Sequence, residues 1–407
     1  MRISIIGTGH LGAVHAACMA ELGHEVLGVD TDTDKIAALA EGRVPLFEPG
    51  LTEMLVSNIR AKRLRFSTSL VDAARFGEVH FVCVGTPQLP GSLGADLSSI
   101  DAVIDGLAPD LAHDCLVVGK STVPVGTALR LAARLDSLTP DGVTAELAWN
   151  PEFLREGFAV QDTLRPDRLV AGVTSAKADA VLRAVYAPLL EVGTPYITTD
   201  LSTAELAKVA ANAFLATKVS FINAVADVCE AAGADIVTLA DTLGHDKRIG
   251  RHFLSAGLGF GGGCLPKDLR AFVARARELG VADSVRFLHE VDELNNGRRR
   301  HAVDLARDLI GGSFSDRNVA VLGAAFKPNT DDVRDSPALD VAAAIHSEGA
   351  LVRVHDPRAA DNARLMRPEL DYCDELDKAC EAADLVLHLT EGNEYRKLNP
   401  VRLRRVV

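Results

Sequence analysis

The chain reads as α/β, with two doubly wound parallel sheets joined by a long helix and an all-helical middle. Three observations carry this. Short apolar strands alternate with amphipathic helices up to residue 199. From Ser202 the chain runs without Pro or Gly as far as Gly233. The strand–helix alternation then returns after Asn318. Strands that are apolar throughout, each followed by a helix, belong to parallel sheets covered on both faces.

The elements follow in order. "RISIIG" is a strand, "LGAVHAACMAELG" a helix and "EVLGVD" a strand; "VHFVCVGTP", "CLVVGKSTVP" and "AELAWNPE" supply later strands. The glycine-free run from Ser202 is one long helix, and Ser202 followed by Glu205 fits a capping box. Further helices are expected in "DIVTLADTLG", "LPKDLRAFVARARELG" and "DSVRFLHEVDELNNGRRRHAVDLARDLIG", with the arginines 298–300 on a solvated face. "NVAVLGAAF", "LVRVHDP" and "ADLVLHLT" are strands again, with "PALDVAAAIHSEG" a helix between the first two. The tail thus repeats the architecture of the head. Three domains are expected: a nucleotide-binding sheet over 1–199, a helical middle over 200–300 and a second sheet over 301–407.

Composition narrows the function. A formal net charge of −13 disfavours nucleic acid and anionic membrane as partners. No stretch is expected to reach the roughly 18–20 apolar residues of a membrane span. "MRISIIGTGHLG" is a buried strand and not a signal peptide. Seven cysteines, none in C-x-x-C spacing, point to a reducing cytoplasm with no disulfide frame and no metal site.

Gly7-Thr8-Gly9-His10-Leu11-Gly12 is G-x-G-x-x-G placed between the first strand and the first helix. Asp30 ends the second strand, 18 residues past Gly12. That context marks a Rossmann-like dinucleotide site. Gly7 makes the turn, Gly9 lets a pyrophosphate approach the backbone, and Gly12 lets helix pack on strand. The Asp30 carboxylate accepts ribose hydroxyls and repels a 2′-phosphate, so NAD is expected over NADP. Thr86 of "VGTP" and Thr122 of "STVP" end later strands, where open α/β sheets bind ligands.

"GLGFGGGCLPKDLRAF" at 257–272 is the second chemical signal. Its glycines leave Cys264 reachable, and Pro266 suits the first turn of a helix. A thiol just before a helix N-terminus, with Lys267 near, is favoured as thiolate. Asp268, four residues on, can turn back toward the sulfur. In the long helix Lys208 and Asn212 share a face at i, i+4 within an apolar stripe, fit to donate to an oxyanion. Glu152 and Glu156 of "NPEFLREG" stand at the same spacing, on an expected helix start, and one could serve as general base.

"GTGHLG", "VGTP", "STVPVGT", "NPEFLREG", "ELAKVAANAFLA", "RIG", "GFGGGCLPKD" and "AFKPNTDDVRDSP" resemble, in order, the UDP-glucose/GDP-mannose dehydrogenases, and most closely the UDP-glucose branch. The resemblance implies two Rossmann-like domains joined by a helical, dimer-forming middle. It implies oxidation of a nucleotide sugar's 6-hydroxyl to a carboxylate with two NAD. Cys264 is then the nucleophile, with Lys208, Asn212, Asp268, Glu152 and Thr122 as the other catalytic residues. Gly7, Gly9, His10, Leu11, Gly12, Asp30, Lys35, Thr86, Thr122, Glu156, Lys267 and Arg334 lie near NAD. The nucleotide sugar is held by Glu152, Phe153, Leu154, Arg155, Glu156, Lys208, Asn212, the loop Phe253, Leu254, Ser255, Ala256, Gly257, then Gly261 and Lys327. Arg248 reaches the substrate across a subunit interface of a homodimer or larger homo-oligomer. Bulk at residues 261–263 is expected to block the sugar. A further strand and an Asp-Gly-Arg segment are implied beyond "RRVV", so the last domain is expected to be cut short. The same chemistry on GDP-mannose or a UDP-N-acetylhexosamine shares this core. A two-electron 3-hydroxyacid-type dehydrogenase also carries Lys and Asn at i, i+4, but has neither the thiol nor the second sheet. A third reading, an idle NAD-binding scaffold, makes no NADH.

Overall fold

The computed structural model describes residues 1–44 and 46–399; the end "RRVV" lies outside the described residues. The chain divides into two compact units, the first Met1–Ala211 and the second from Asn212 onward.

Among its described residues the first unit holds eight strands: β1 (Arg2–Ile6), β2 (Glu25–Val29), β3 (Leu64–Ser67), β4 (Val79–Val82), β5 (Cys115–Gly119), β6 (Ala145–Trp149), β7 (Leu169–Gly172) and β8 (Tyr196–Thr199). Their order is β3-β2-β1-β4-β5-β6-β7-β8. The chain reverses direction on either side of β1, which opens a crevice at the carboxyl ends of β1 and β4. The expected parallel sheet is parallel only in part: β6 and β7 pair antiparallel, through Trp149 and Gly172 alone. All of Val79–Val82 is buried, and so is β1 beyond Arg2, because helices cover both faces. Two apolar clusters, one around Ile3, Ile5 and Phe81 and one around Leu27, Val117 and Trp149, form those two layers.

The long helix spans Leu201–Ala232. Its cap is two residues earlier than the sequence suggested. Asp200, not Ser202, accepts the Thr203 N–H at 2.8 Å and the Thr203 hydroxyl at 2.7 Å. Glu205 instead accepts the N–H groups of Gly126 and Ala128 at 2.7 and 2.6 Å, at the start of the helix Thr127–Leu138. A buried carboxylate there meets the partial positive charge of a second helix. This helix also corrects the membrane expectation: by length and composition it could cross a membrane, with a mean hydropathy of 1.4 over its most apolar window, 44% of which is buried within the chain.

The second unit contains the helices Ile236–Gly244, Leu265–Glu278 and Phe287–Leu309, and a parallel sheet in the order β11-β10-β9-β12. These strands are β9 (Asn318–Leu322), β10 (Leu351–His355), β11 (Asp371–Tyr372) and β12 (Leu385–His388). The expected boundary at residue 300 falls inside the helix Phe287–Leu309. Val303 and Ala306 of that helix pack into the core beneath β9 and β10. Of the arginines expected on a solvated face only Arg300 is exposed. Arg298 pairs with Asp227, and Arg299 pairs with Asp335 and Asp340; both arginine side chains are only 12% exposed.

Candidate active site

In the first unit the backbone around the glycine turn is crowded at Gly7 and Gly12 and open at Gly9. A Cβ at Gly7, where φ is +89°, would lie 2.8 Å from the Val84 nitrogen. One at Gly12 would lie 1.7 Å from the Gly7 oxygen. At Gly9 it would meet no atom within 4 Å. The helix His10–Glu21 opens behind Gly9 with no side-chain cap, so its first N–H groups are left for an anion. Asp30 accepts the N–H of Thr8 at 2.8 Å and the Lys35 ammonium at 3.1 Å. Burial works to raise this carboxyl, but the Thr8 and Asp32 N–H groups and Lys35 outweigh it and hold the pKa below its usual value. An open cradle at Gly9 and an ionised acid at the end of β2 fit the diphosphate and ribose of NAD.

His10, within the turn, lies 2.9 Å from the carboxylate of Glu48. Glu48 also accepts the N–H groups of Gly157 and Ala159 at 2.8 and 2.7 Å. It is buried, and sequence reasoning missed it because a lone Glu in "LFEPG" carries no spacing signal. Thr86 donates to the Thr122 carbonyl at 2.7 Å, so the two threonine segments at the ends of β4 and β5 meet.

The segment 151–158 is a loop, not the expected helix start, so Glu152 and Glu156 share no helix face. Pro151 and the turn at Gly157, with φ of +80°, are incompatible with a continuous helix here. Glu152 accepts the Leu154 N–H at 2.7 Å and pairs with Lys208 at 2.7 Å. Lys208 is buried, with its ammonium 5.7 Å from the Phe153 ring centroid. Arg155 is bound by Asp162.

In the second unit Cys264 is the N-cap of the helix Leu265–Glu278, and it is the one exposed cysteine of the seven. By contrast, burial pushes the thiols of Cys18, Cys83 and Cys115 up to about 12. Asp268 is buried one turn along. It accepts the Asn212 amide at 2.7 Å and the Lys267 ammonium at 2.5 Å. Lys208 and Asn212 thus project from one helix, one turn apart, each with a carboxylate partner.

The chain's own atoms crowd the glycine run at 261–263. A Cβ at Gly261 would lie 2.1 Å from the Asp335 backbone oxygen, one at Gly262 2.6 Å from the Phe326 ring, and one at Gly263 2.3 Å from the Arg334 guanidinium. Bulk at 261–263 is excluded by the chain's own segment 326–335. On the other flank Asn295 grips Phe260 at two points, accepting its N–H at 2.7 Å and donating to its carbonyl at 2.9 Å. Asn295 was also missed, since an Asn in a helical pattern signals nothing alone. Of the remaining expected residues, Leu254 is buried, Gly257 donates to Asn223 at 2.8 Å, and Lys327 lies over the Phe326 ring. Arg334 is held by Asp332, and Arg248 is held by Asp246 but stays 90% exposed.

Comparison with known proteins agrees with this geometry. Residues 1–190 match the NAD binding domain of the UDP-glucose/GDP-mannose dehydrogenase family, residues 202–297 its central domain, and residues 320–407 its UDP binding domain. The chain is 42% identical to a UDP-glucose 6-dehydrogenase of Rhizobium meliloti, covering 99% of this chain and 92% of that one. It superposes on a UDP-glucose dehydrogenase from the hyperthermophilic archaeon Pyrobaculum islandicum with a TM-score of 0.93 at 38% identity, over 98% of this chain and 92% of that one. A GDP-mannose dehydrogenase from Pseudomonas aeruginosa gives a TM-score of 0.59 at 30% identity, over 97% and 92%. The open glycine cradle, the acid at the end of β2 and the matched domains make this an NAD-dependent oxidoreductase acting on a nucleotide sugar, and the chain belongs to the UDP-glucose/GDP-mannose dehydrogenase family.

Proposed function

We propose that the chain oxidises the 6-hydroxyl of UDP-glucose to the carboxylate through a covalent adduct on Cys264. The observation that carries this is the single exposed thiol at a helix N-terminus, one turn before the buried Asp268–Asn212 pair. NAD, when bound, accepts a hydride from the sugar in each of two oxidations. The ammonium of Lys208 and the amide of Asn212 stabilise negative charge on O6 as the hydroxyl proton leaves. Asp268 fixes the Asn212 amide. The Cys264 sulfur adds to the aldehyde carbon, giving a thiohemiacetal; loss of the second hydride leaves a thioester. Glu152 takes a proton from water as that water attacks the thioester, and the thiol leaves. One alcohol, two NAD and one water become one carboxylate, two NADH and three protons, with no free aldehyde.

UDP-glucose is preferred over GDP-mannose because the similarity is greater to the UDP-glucose enzymes in both identity and superposition. The two-electron reading is disfavoured by the exposed thiol and by the second sheet. A panel of nucleotide sugars should release two NADH per sugar with UDP-glucose. Cys264→Ser should bind both ligands yet lose turnover by about 10²–10⁴-fold. Near-normal turnover with two NADH per sugar in that variant would reject the thioester route, and no NADH from any sugar would favour an idle NAD-binding protein.

The enzyme acts as a homodimer or larger assembly in the cytoplasm. Phe214, Phe221 and Val228 recur every seven residues along the long helix and are each more than half exposed, a stripe suited to a second copy. The exposed Arg248 is available to a neighbouring subunit's substrate. Seven cysteines with no C-x-x-C spacing accord with a reducing compartment. A monomer in light scattering that keeps full specific activity on dilution would rule the assembly out.

A further inference from the structure

Lys120 follows the last residue of β5 and is buried at the carboxyl end of the first sheet. Its ammonium donates to Asn150 Oδ1 at 2.9 Å and, at 3.5 Å each, to the Asn150 carbonyl and the Tyr186 hydroxyl. All three acceptors are neutral. A buried ammonium without a directly bonded anion is costly, and an apolar side chain of the same length is often the more stable choice. Nor does Asn150 need it. Asn150 Oδ1 already accepts the Tyr186 hydroxyl at 2.6 Å, its amide donates to the Val170 carbonyl at 2.7 Å, and its N–H donates to the Gly119 carbonyl at 2.8 Å. Packing and hydrogen bonding therefore leave the charge of Lys120 unexplained.

The charged groups around it give an explanation. The Glu152 carboxylate, the Lys208 ammonium and the Cys83 thiol are near enough to act on Lys120 through space, the Phe81 and Tyr186 ring centroids lie 5.8 and 5.9 Å from its ammonium, and His15 packs edge-on against Phe81. Glu152 begins two residues after Asn150, whose side chain and carbonyl Lys120 holds. Its bonded cation is Lys208. If Lys208 turns its ammonium to the sugar's O6, Glu152 loses that partner at the stage when it must act as base. We infer that Lys120 is a positioning residue for Glu152, a second buried cation that keeps the carboxylate and its loop in place while Lys208 is engaged with substrate. This rests on the role proposed above for Glu152. Burial lowers the pKa of Lys120 to about 8, so the charge is present at neutral pH and is lost above it.

The test compares Lys120→Met, Glu152→Gln and the double variant by rapid mixing of enzyme, NAD and UDP-glucose. Lys120→Met should retain a burst of NADH from the two oxidations, then turn over about 10- to 100-fold more slowly, as expected when a catalytic group is misplaced by about an ångström. Its KM values should stay within about threefold of wild type. Its melting temperature should equal or exceed that of wild type, which a purely structural lysine would not allow. Wild-type turnover should fall above about pH 8 as Lys120 loses its charge, and this fall should be absent from the variant. The double variant should be no slower than Glu152→Gln alone. If Glu152→Gln shows no slow hydrolysis, the role given to Glu152 fails and takes this inference with it. If Glu152→Gln is slow but Lys120→Met keeps the wild-type rate and pH profile, or the two effects add, only the inference about Lys120 fails. Lys120→Gln, which keeps an N–H donor without the charge, should match Lys120→Met. Wild-type turnover in Lys120→Gln, or failure of both variants to fold, would overturn the assignment.

Discussion

A methyl group added at Gly9 would touch nothing within 4 Å, whereas one added at Gly261 would sit 2.1 Å from a backbone oxygen of the same chain. The two glycine-rich segments look alike in sequence, and both precede a helix that carries chemistry. The first leaves its middle glycine open, with room for a ligand to come close. The second is glycine because the protein itself comes close, on one flank from Phe326, Arg334 and Asp335 and on the other from Asn295. A turn that serves a ligand is open at its critical residue. The loop before Cys264 is filled at residues 259 and 261–263 and open at Gly257.

That difference can be broken by a paired substitution. Gly261→Ala should destabilise the fold by about 1–3 kcal/mol, the usual range for forcing atoms into a packed site. The loss should appear as a lower denaturant midpoint even without ligands. Gly9→Ala should leave that midpoint unchanged and raise KM for NAD by about tenfold or more, which corresponds to about 1.4 kcal/mol of binding. An unchanged midpoint in Gly261→Ala would mean that the 261–263 segment yields easily, and the sugar-clearance reading of the glycines would regain its force. Unchanged NAD kinetics in Gly9→Ala would remove this turn from the cofactor site.

Both segments were visible in the sequence, but only one of their reasons was. G-x-G-x-x-G has a fixed spacing because the same diphosphate imposes it, so strand, turn, helix and acid at Asp30 could be placed by count. The buried strands β1, β2, β4, β5 and β9 were legible because both faces are apolar. β3, β7, β8 and the two-residue β11 were not: they are short or lie at sheet edges, and their pattern does not differ from that of a loop. The antiparallel join of β6 to β7 leaves no trace in composition. The capping residue was misassigned by two positions because Ser202 and Asp200 are both good caps. Only the tertiary fold shows that Glu205 serves another helix. Packing of 261–263 against 326–335 joins segments more than sixty residues apart, which no local pattern encodes. Glu48, Lys120 and Asn295 matter through partners distant in sequence, so each reads as an ordinary surface or helix residue until the chain is folded.

The smallest expected effect concerns the open segment. Asp30 was read as a bare charge that repels a 2′-phosphate, but in the structure it is not bare. Lys35 lies 3.1 Å from its carboxylate and also 3.7 Å from Asp32. A paired carboxylate projects a weaker field, so charge repulsion alone should favour NAD by only about 1 kcal/mol, an effect near the surface where screening is strong. Asp30→Asn acts twice: it removes the repelling charge, and it frees the Lys35 ammonium to meet a 2′-phosphate. The ratio of kcat/KM for NAD over that for NADP should therefore fall by about fivefold in Asp30→Asn, and adding Lys35→Ala should recover much of that ratio. The Thr8 and Asp32 N–H groups and Lys35 hold the pKa of Asp30 below its usual value, so the carboxylate is ionised throughout the neutral and mildly acid range, and the wild-type preference should be the same at about pH 5.5 and pH 7.5. If Asp30→Asn leaves the ratio untouched while Lys35→Ala alone shifts it, the lysine governs cofactor choice and Asp30 serves only to hold the turn through Thr8.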